Sequence, residues 1–341
     1  MKIALNVENR DGPFGGGNRF VKDFKEYAQK NGHCVVFDLK EKDIDIIFVV
    51  DPRFRHPNSR FTSPSILFYL LFKNPNAIVV HRINECDERK GTNFMNKSLK
   101  RFNYLADHTI FIASWLKDLD LWIDESYKKS SVILNGADSR VFNRHNWSPW
   151  NKSGKMKLVT HHWSPNYMKG FDVYNMIDKL LSEKKWSEKL EFSYIGNLPK
   201  NFKFNNVNHV NPQDGYELAA TLKKSHAYIT ASINEPGGMH QHEAALCGLP
   251  ILFRDSGAFP ECCGKFGLSF NKDDLVHKLE QFIDNYDYYA KRIAEYPFTS
   301  EKSISQYFLV LENLKKTMTS LSKTRRLFRD PLNLMKSLQN F

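Results

Sequence analysis

The chain has 341 residues, which is long for one α/β core and suits two domains that each bury a core of their own. Its 49 Lys and Arg against 38 Asp and Glu give a formal net charge of +11, but no nucleic-acid-binding motif accompanies this charge, so we expect no nucleic-acid partner. The five Cys lack paired zinc spacing and favour reduced thiols, which predicts a cytoplasmic protein.

The first half of the chain alternates apolar runs with helical periods. Residues 2–7 enter a strand directly, without the longer apolar stretch of a signal peptide, and no apolar segment is long enough to span a membrane. Further strands are predicted at 34–38, 44–50, 77–81, 109–113 and 131–134, and helices at 18–31, 66–72 and 96–104. This order predicts a parallel sheet made from right-handed βαβ units.

Residues 143–155 are polar, contain Pro and Gly and show no apolar period, so we predict a linker and hinge there. A second series of strands is predicted at 157–160, 192–195, 207–210, 227–231 and 251–253. The predicted domains are therefore 1–147 and 148–305, followed by a basic helical segment at 306–341 that packs across both.

The segment from Glu235 to Glu243 (EPGGMHQHE) places a glycine-bearing turn between two carboxylates. Gly237 and Gly238 permit a tight turn with outward-pointing amides, and Glu243 is predicted to begin a helix that is closed at Gly248. Amides at a helix start attract phosphate, whereas carboxylates repel it and accept hydrogen bonds from hydroxyl groups instead. The alternative is an ordinary strand-to-helix turn with solvated Glu side chains.

Several motifs follow one another in a recognisable order. They are Gly15-Gly16-Gly17, Gly32-His33-Cys34-Val35, Asn135-Gly136-Ala137-Asp138 with Phe142, Lys169-Gly170, the Glu235/Glu243 pair with Ala244 to Pro250, and Ser256 to Glu261. In this order the chain resembles the retaining GT-B glycosyltransferases, especially family 4 (glycosyl transferases group 1), over nearly its whole length. The resemblance implies an α/β fold of two Rossmann-like, doubly wound parallel-sheet domains facing a cleft, with the donor mainly on the C-terminal domain.

The resemblance also implies roles for individual residues. Lys169 would supply positive charge to a diphosphate, Glu235 would contact the transferred sugar, Glu243 would bind the ribose, and His81 would lie near the reacting sugar, with Asn84 competing for that role. The remaining donor-binding candidates are Gly237, Gly238, Met239, His240, Gly196, Asn197, His162, Gly16 and Gly17. Each also has a plain structural interpretation, such as a surface Lys, a buried His or a mobile glycine turn.

One departure from the family pattern concerns a phosphate-binding Arg that usually precedes the Lys. The loop here offers His161 and His162 instead, so one of the two histidines would replace it, or Arg82 or Arg19 would supply the charge.

The function implied is transfer of a sugar from a nucleotide-diphosphate sugar to a hydroxyl of a glycan or lipid-linked acceptor, with retained anomeric configuration. The resemblance also implies that the reaction needs no metal and no other cofactor. The leaving phosphate itself can accept the acceptor's proton, which explains why no dedicated general base stands out in the sequence. Two alternatives stay open, a nucleotide-sugar epimerase of the same fold and a catalytically inactive nucleotide-sugar-binding module.

Basic residues crowd the last helical stretch (Lys315, Lys316, Lys323, Arg325, Arg326, Arg329 and Lys336). Peripheral contact with an anionic membrane would explain them, as would the solvated outer face of a helix packed on the protein.

Overall fold

The computed structural model describes residues 1–9, 16–53, 59–123 and 129–318. Two compact units divide the chain, one formed by residues 1–134 with the chain from residue 301 onward, and the other by Asn135–Ser300. The sequence placed these divisions at 147/148 and 305/306. The structure differs because residues 135–155 pack on the second unit, as described below.

The first unit is built on a six-stranded parallel sheet. Its strands are β1 (Lys2–Leu5), β2 (Cys34–Val36), β3 (Ile46–Val49), β4 (Ile78–Ile83), β5 (His108–Phe111) and β6 (Lys129–Val132), in the order β2-β1-β3-β4-β5-β6. Its helices are α1 (Gly16–Lys30), α2 (Ser63–Phe72), α3 (Asp87–Lys90), α4 (Met95–Asn103) and a 3-10 turn at Ser114–Asp118. Every residue of β3 and β4 is buried, as expected for central strands of a parallel sheet that is covered on both faces.

The two faces of this sheet carry separate cores. On one face α1 buries its apolar stripe, which includes Phe20 and Phe24, against Tyr307 and Phe308 of the last described helix, α12 (Ser300–Thr317). On the other face α2 and the end of α4 share a core with the sheet. Of the predicted segment 306–341, residues 306–317 thus continue α12, and residues 319–341 lie outside the described part of the chain.

The second unit repeats the architecture. Its strands are β7 (Met156–His162), β8 (Leu190–Gly196), β9 (Asn208–Val210), β10 (Ala227–Thr230), β11 (Ile251–Arg254) and β12 (Gly267–Phe270), all parallel, in the order β12-β11-β10-β7-β8-β9. Its helices are α5 (Phe171–Leu180), α6 (Lys184–Ser187), α7 (Gly215–Leu222), α8 (His240–Leu246), α9 (Phe259–Cys263), α10 (Leu275–Asp284) and α11 (Tyr286–Arg292). The sequence pattern does not predict β12, because this four-residue edge strand is mostly half-exposed and begins with Gly.

The predicted linker at 143–155 is instead anchored along the second unit. The indole of Trp147 is buried beside Gly248 and donates a hydrogen bond to the carbonyl of Ser225 at 3.0 Å. Trp150 packs edge-on against Tyr286, whose hydroxyl accepts a hydrogen bond from the Trp150 amide. Two aromatic anchors therefore fix a segment whose composition is otherwise that of a loop.

Among the described helices, none combines the length and the apolar character that are needed to cross a bilayer.

Candidate functional site

The loop after β10 carries Glu235 and is held in place by a second turn. Glu235 is buried, and its carbonyl accepts a hydrogen bond from the amide of Ala258 at 2.9 Å. The adjacent amide of Asn234 donates to the hydroxyl of Ser256 at 2.8 Å. Gly257 lies between these contacts with φ of +59°, and a Cβ there would lie 2.4 Å from the Glu235 carbonyl oxygen, so only glycine fits. The Ser256 to Glu261 motif thus positions the backbone of Glu235.

Lys169 reaches Glu235 from the other side. It ends a 3-10 turn, Tyr167–Lys169, that is capped by the Asn166 side chain, and the Met168 carbonyl in this turn accepts a hydrogen bond from Ile233 at 2.8 Å. Its Nζ lies 2.7 Å from a carboxylate oxygen of Glu235, and the two side chains are only 13% and 7% exposed. Two residues that are 66 positions apart, both predicted for the site, therefore form one buried ion pair.

Glu243 is held by a histidine from β7. Nε2 of His161 donates to a Glu243 carboxylate oxygen at 2.7 Å, and Nδ1 of His161 accepts from the Tyr228 hydroxyl at 3.2 Å. All three side chains are buried. Glu243 is the fourth residue of α8, which begins at His240, so the prediction that Glu243 begins the helix is corrected by one turn. The turn before α8 is therefore shorter than predicted, since the helix begins two residues after Gly238.

Two further predicted histidines lie beneath this loop. His162 Nε2 accepts from the Tyr174 hydroxyl at 2.7 Å, and its ring lies 4.6 Å from that of His240, centroid to centroid. His240 Nε2 pairs with Thr230 at 2.8 Å, and burial, followed by the nearby charge of Lys169, lowers the pKa of His240 well below its ordinary value. His240 is therefore neutral at pH 7. Of the two histidines considered as substitutes for the usual Arg, His161 is the one that contacts a predicted donor-binding carboxylate.

The glycine turn itself is tied down by side chains at two of its carbonyls. The amide nitrogen of Asn135 donates to the carbonyl of Gly237, and Gln241 Nε2 donates to that of Gly238 at 2.7 Å. Met239 precedes α8 and is half-buried. Asn135, which the sequence alone does not assign to the site, thus belongs to it through the Asn135 to Asp138 motif.

At the end of β8, Gly196 passes close to the neighbouring strand. Its φ is +143°, and a Cβ would lie 1.9 Å from the carbonyl oxygen of His162. The Asn197 side chain donates to the carbonyl of Trp163 at 2.7 Å. These contacts bring both predicted residues to the same edge of the sheet as Lys169 and Glu235.

Residues 191–297 match the family model for glycosyl transferases group 1. The chain has the GT-B fold. No curated protein matches by sequence.

Solved GT-B structures cover nearly all of the chain. HepE from Anabaena, in complex with UDP-glucose, is 14% identical with a TM-score of 0.64, over 92% of this chain and 100% of HepE. Sucrose-phosphate synthase from Thermosynechococcus elongatus is 14% identical with a TM-score of 0.61, over 92% and 99%. A glycosyltransferase from Rickettsia africae is 14% identical with a TM-score of 0.65, over 93% and 99%. At this identity the structures establish the shared fold.

The histidine and arginine predicted for the site in the first unit, His81 and Arg82, are buried. His81 lies within β4 rather than past its end, because β4 extends to Ile83. Its ring is fully buried, with Nδ1 3.2 Å from the amide nitrogen of Asn103 and an edge contact to Phe102. This burial does not favour contact with a reacting sugar, and the catalytic role of His81 stays a prediction.

Arg82, considered as a source of positive charge, is also buried. Its guanidinium stacks 3.9 Å from the Phe20 ring centroid, and its Nε donates to the Tyr307 hydroxyl at 2.9 Å. Gly16 and Gly17 form the exposed first turn of α1, while Gly15 lies outside the described residues. In the described part of the chain, no cluster of three His, Cys, Asp or Glu side chains is arranged to hold a metal ion.

Proposed function

We propose that the protein is a retaining, metal-independent glycosyltransferase that moves a sugar from a nucleotide-diphosphate sugar to a hydroxyl of a glycan or lipid-linked acceptor. The observation that carries this proposal is the buried pair of Lys169 and Glu235 at the strand ends of the second unit, of which residues 191–297 match the glycosyl transferases group 1 model. A buried Lys and Glu beside a glycine turn offer a cation for the leaving diphosphate and a hydrogen-bond acceptor for the sugar.

Lys169 and Glu235 would have separate roles, one at the leaving diphosphate and the other at the sugar. Negative charge grows on the diphosphate as the bond to the sugar breaks, and the Lys169 ammonium stabilises that charge without a metal ion. Glu235 then accepts hydrogen bonds from sugar hydroxyls, with its position fixed by the turn at Gly257. The departing phosphate accepts the acceptor's proton, so the reaction needs no separate general base.

Glu243 would bind the ribose. Carboxylates accept hydrogen bonds from vicinal hydroxyls such as those of ribose. The hydrogen bond from His161 fixes the orientation of the Glu243 carboxylate. Because HepE of the same fold binds UDP-glucose, uridine diphosphate sugars are the first donors to test.

The test is to incubate the purified protein with each nucleotide sugar, without added metal, and to measure nucleotide release with and without candidate acceptors. We expect release from one donor class, and NMR of the product should show the anomeric configuration of the donor. In Glu235→Gln the rate should fall, since a neutral amide is a poorer acceptor for sugar hydroxyls. A wild-type rate in that variant would remove Glu235 from the reaction. An isomerised donor sugar would instead establish an epimerase, and binding without turnover an inactive module.

A further inference from the structure

Helix α2 (Ser63–Phe72, sequence SPSILFYLLF) is unusual for the surface of a folded protein. It contains no charged residue, and its inner face, with Ile66, Tyr69 and Leu70, is buried in the core of the first unit. Its outer face is also apolar. A helix that is apolar on all sides is expected to have an apolar environment on all sides, and this one has protein on one side only.

The outer face forms one continuous surface. Phe68, Leu71 and Phe72 are 57%, 43% and 71% exposed, and their spacing of three and four residues places them on one side of the helix. The rings of Phe68 and Phe72 lie 4.9 Å apart, centroid to centroid. We name these three side chains the α2 patch. An exposed apolar cluster of this kind marks a surface that binds a partner or a membrane.

Lysines border one end of the α2 patch. Lys73, which follows Phe72 directly, donates from its Nζ to the carbonyl of Leu39 at 2.7 Å, and this contact brings the loop with the exposed Lys40 and Lys42 beside the end of the helix. The acidic residues of this loop are themselves paired, Asp38 with Lys40 at 3.7 Å and both Glu41 and Asp43 with Lys2. Lys42 and Lys73 therefore supply the positive charge at this end of the patch.

The positive charge of the chain is concentrated in the unit that contains α2. Residues 1–134 and 301–341, which form the unit with α2, contain 29 Lys and Arg against 20 Asp and Glu, whereas residues 135–300 contain 20 against 18. Most of the net charge of +11 thus belongs to the chain segments that form the unit with the exposed apolar helix. Apolar side chains next to lysines, on a positively charged unit, complement a negatively charged lipid surface.

We propose that the α2 patch is a docking surface for an anionic lipid bilayer. Phe68, Leu71 and Phe72 enter the boundary between headgroups and acyl chains, while Lys42 and Lys73 contact lipid phosphates. Docking here would bring the protein to the surface where a lipid-linked acceptor resides. The binding itself does not depend on the transfer reaction.

Vesicle flotation of the full-length protein tests the proposal. We expect the wild-type protein to float with phosphatidylcholine vesicles that contain phosphatidylglycerol, and to float less when salt is added. Replacing both phenylalanines, in Phe68→Ser/Phe72→Ser, should lower the partition coefficient about ten-fold or more. Because both side chains are exposed, the variant should keep its circular dichroism spectrum and its melting temperature.

Phe94→Ser is the matched control. Phe94 is 55% exposed and belongs to the same unit, but it lies before α4, where its amide donates to Asp87. This variant should bind vesicles like the wild type. Equal binding by Phe68→Ser/Phe72→Ser would overturn the proposal and transfer the role to the basic C-terminal residues. A wild-type protein that does not float, or a lipid-free dimer that the double variant abolishes, would also overturn it.

Discussion

Gly257→Ala should disable the enzyme by moving one carboxylate. The residue has φ of +59°, and an added Cβ would lie 2.4 Å from the carbonyl oxygen of Glu235, about 1 Å closer than the 3.4 Å at which ordinary contact begins. Relief of this overlap requires Glu235 and the turn to separate by about 1 Å. A misplacement of that size in a catalytic site costs on the order of 100-fold in rate, or about 2.7 kcal/mol of transition-state stabilisation.

The control is Gly154→Ala in the same unit. Gly154 has φ of +73°, and a Cβ there would meet no atom within 4 Å. Both variants should lose about 1–2 kcal/mol of unfolding free energy because Ala disfavours the left-handed conformation, and Gly257→Ala should lose more because its Cβ also overlaps the Glu235 backbone. Only Gly257→Ala should also lose about 100-fold in kcat/KM for donor turnover. Equal kinetics in the two variants, measured alongside urea denaturation, would refute the inference that the Gly257 turn positions Glu235.

Two further predictions concern buried histidines. His161→Phe removes the hydrogen-bond donor to Glu243, so kcat/KM should fall by about 5- to 150-fold, which is about 1–3 kcal/mol of transition-state stabilisation. A double-mutant cycle with Glu243→Ala should be non-additive, and additive effects would mean that His161 does not act through Glu243. Burial lowers the pKa of His242 to about 3 and that of His108 to about 4, so the unfolded chain, with ordinary values near 6.5, binds more protons in acid. The unfolding free energy should therefore fall as pH drops below about 6.5, by roughly 2 kcal/mol per histidine at pH 5, and urea denaturation that gives equal stability at pH 7 and pH 5 would contradict this.

Most of the fold could be predicted from local pattern. The apolar residues of α1 recur at helical spacing, and β3 is a short run of apolar residues, so the sequence predicts both elements. The structure confirms both, and all four residues of β3 are buried. What failed depended on distant contacts. The segment at 143–155 resembles a linker because its described anchors are Trp147 and Trp150, and their partners lie 78 and 136 positions away along the chain.

The sequence predicted which residues form the core of the candidate site but not the contacts that hold them. Motif order alone placed Lys169 and Glu235 in one site, and the structure brings them to 2.7 Å. The contact of His161 with Tyr228 could not be anticipated, because it depends on the pairing of β7 with β10, which no local pattern specifies. His81 was predicted to lie just past a strand end, but β4 continues to Ile83. The sequence pattern does not define the exact end of a strand.

Calorimetric titration with UDP, GDP, ADP and their sugar conjugates, without added metal, tests the central claim most directly. The account predicts that one nucleotide binds selectively and that Lys169→Ala weakens this binding about ten-fold or more, since the ammonium contacts the diphosphate. Absence of binding at millimolar concentration, or equal affinity in Lys169→Ala, would contradict the proposed donor site.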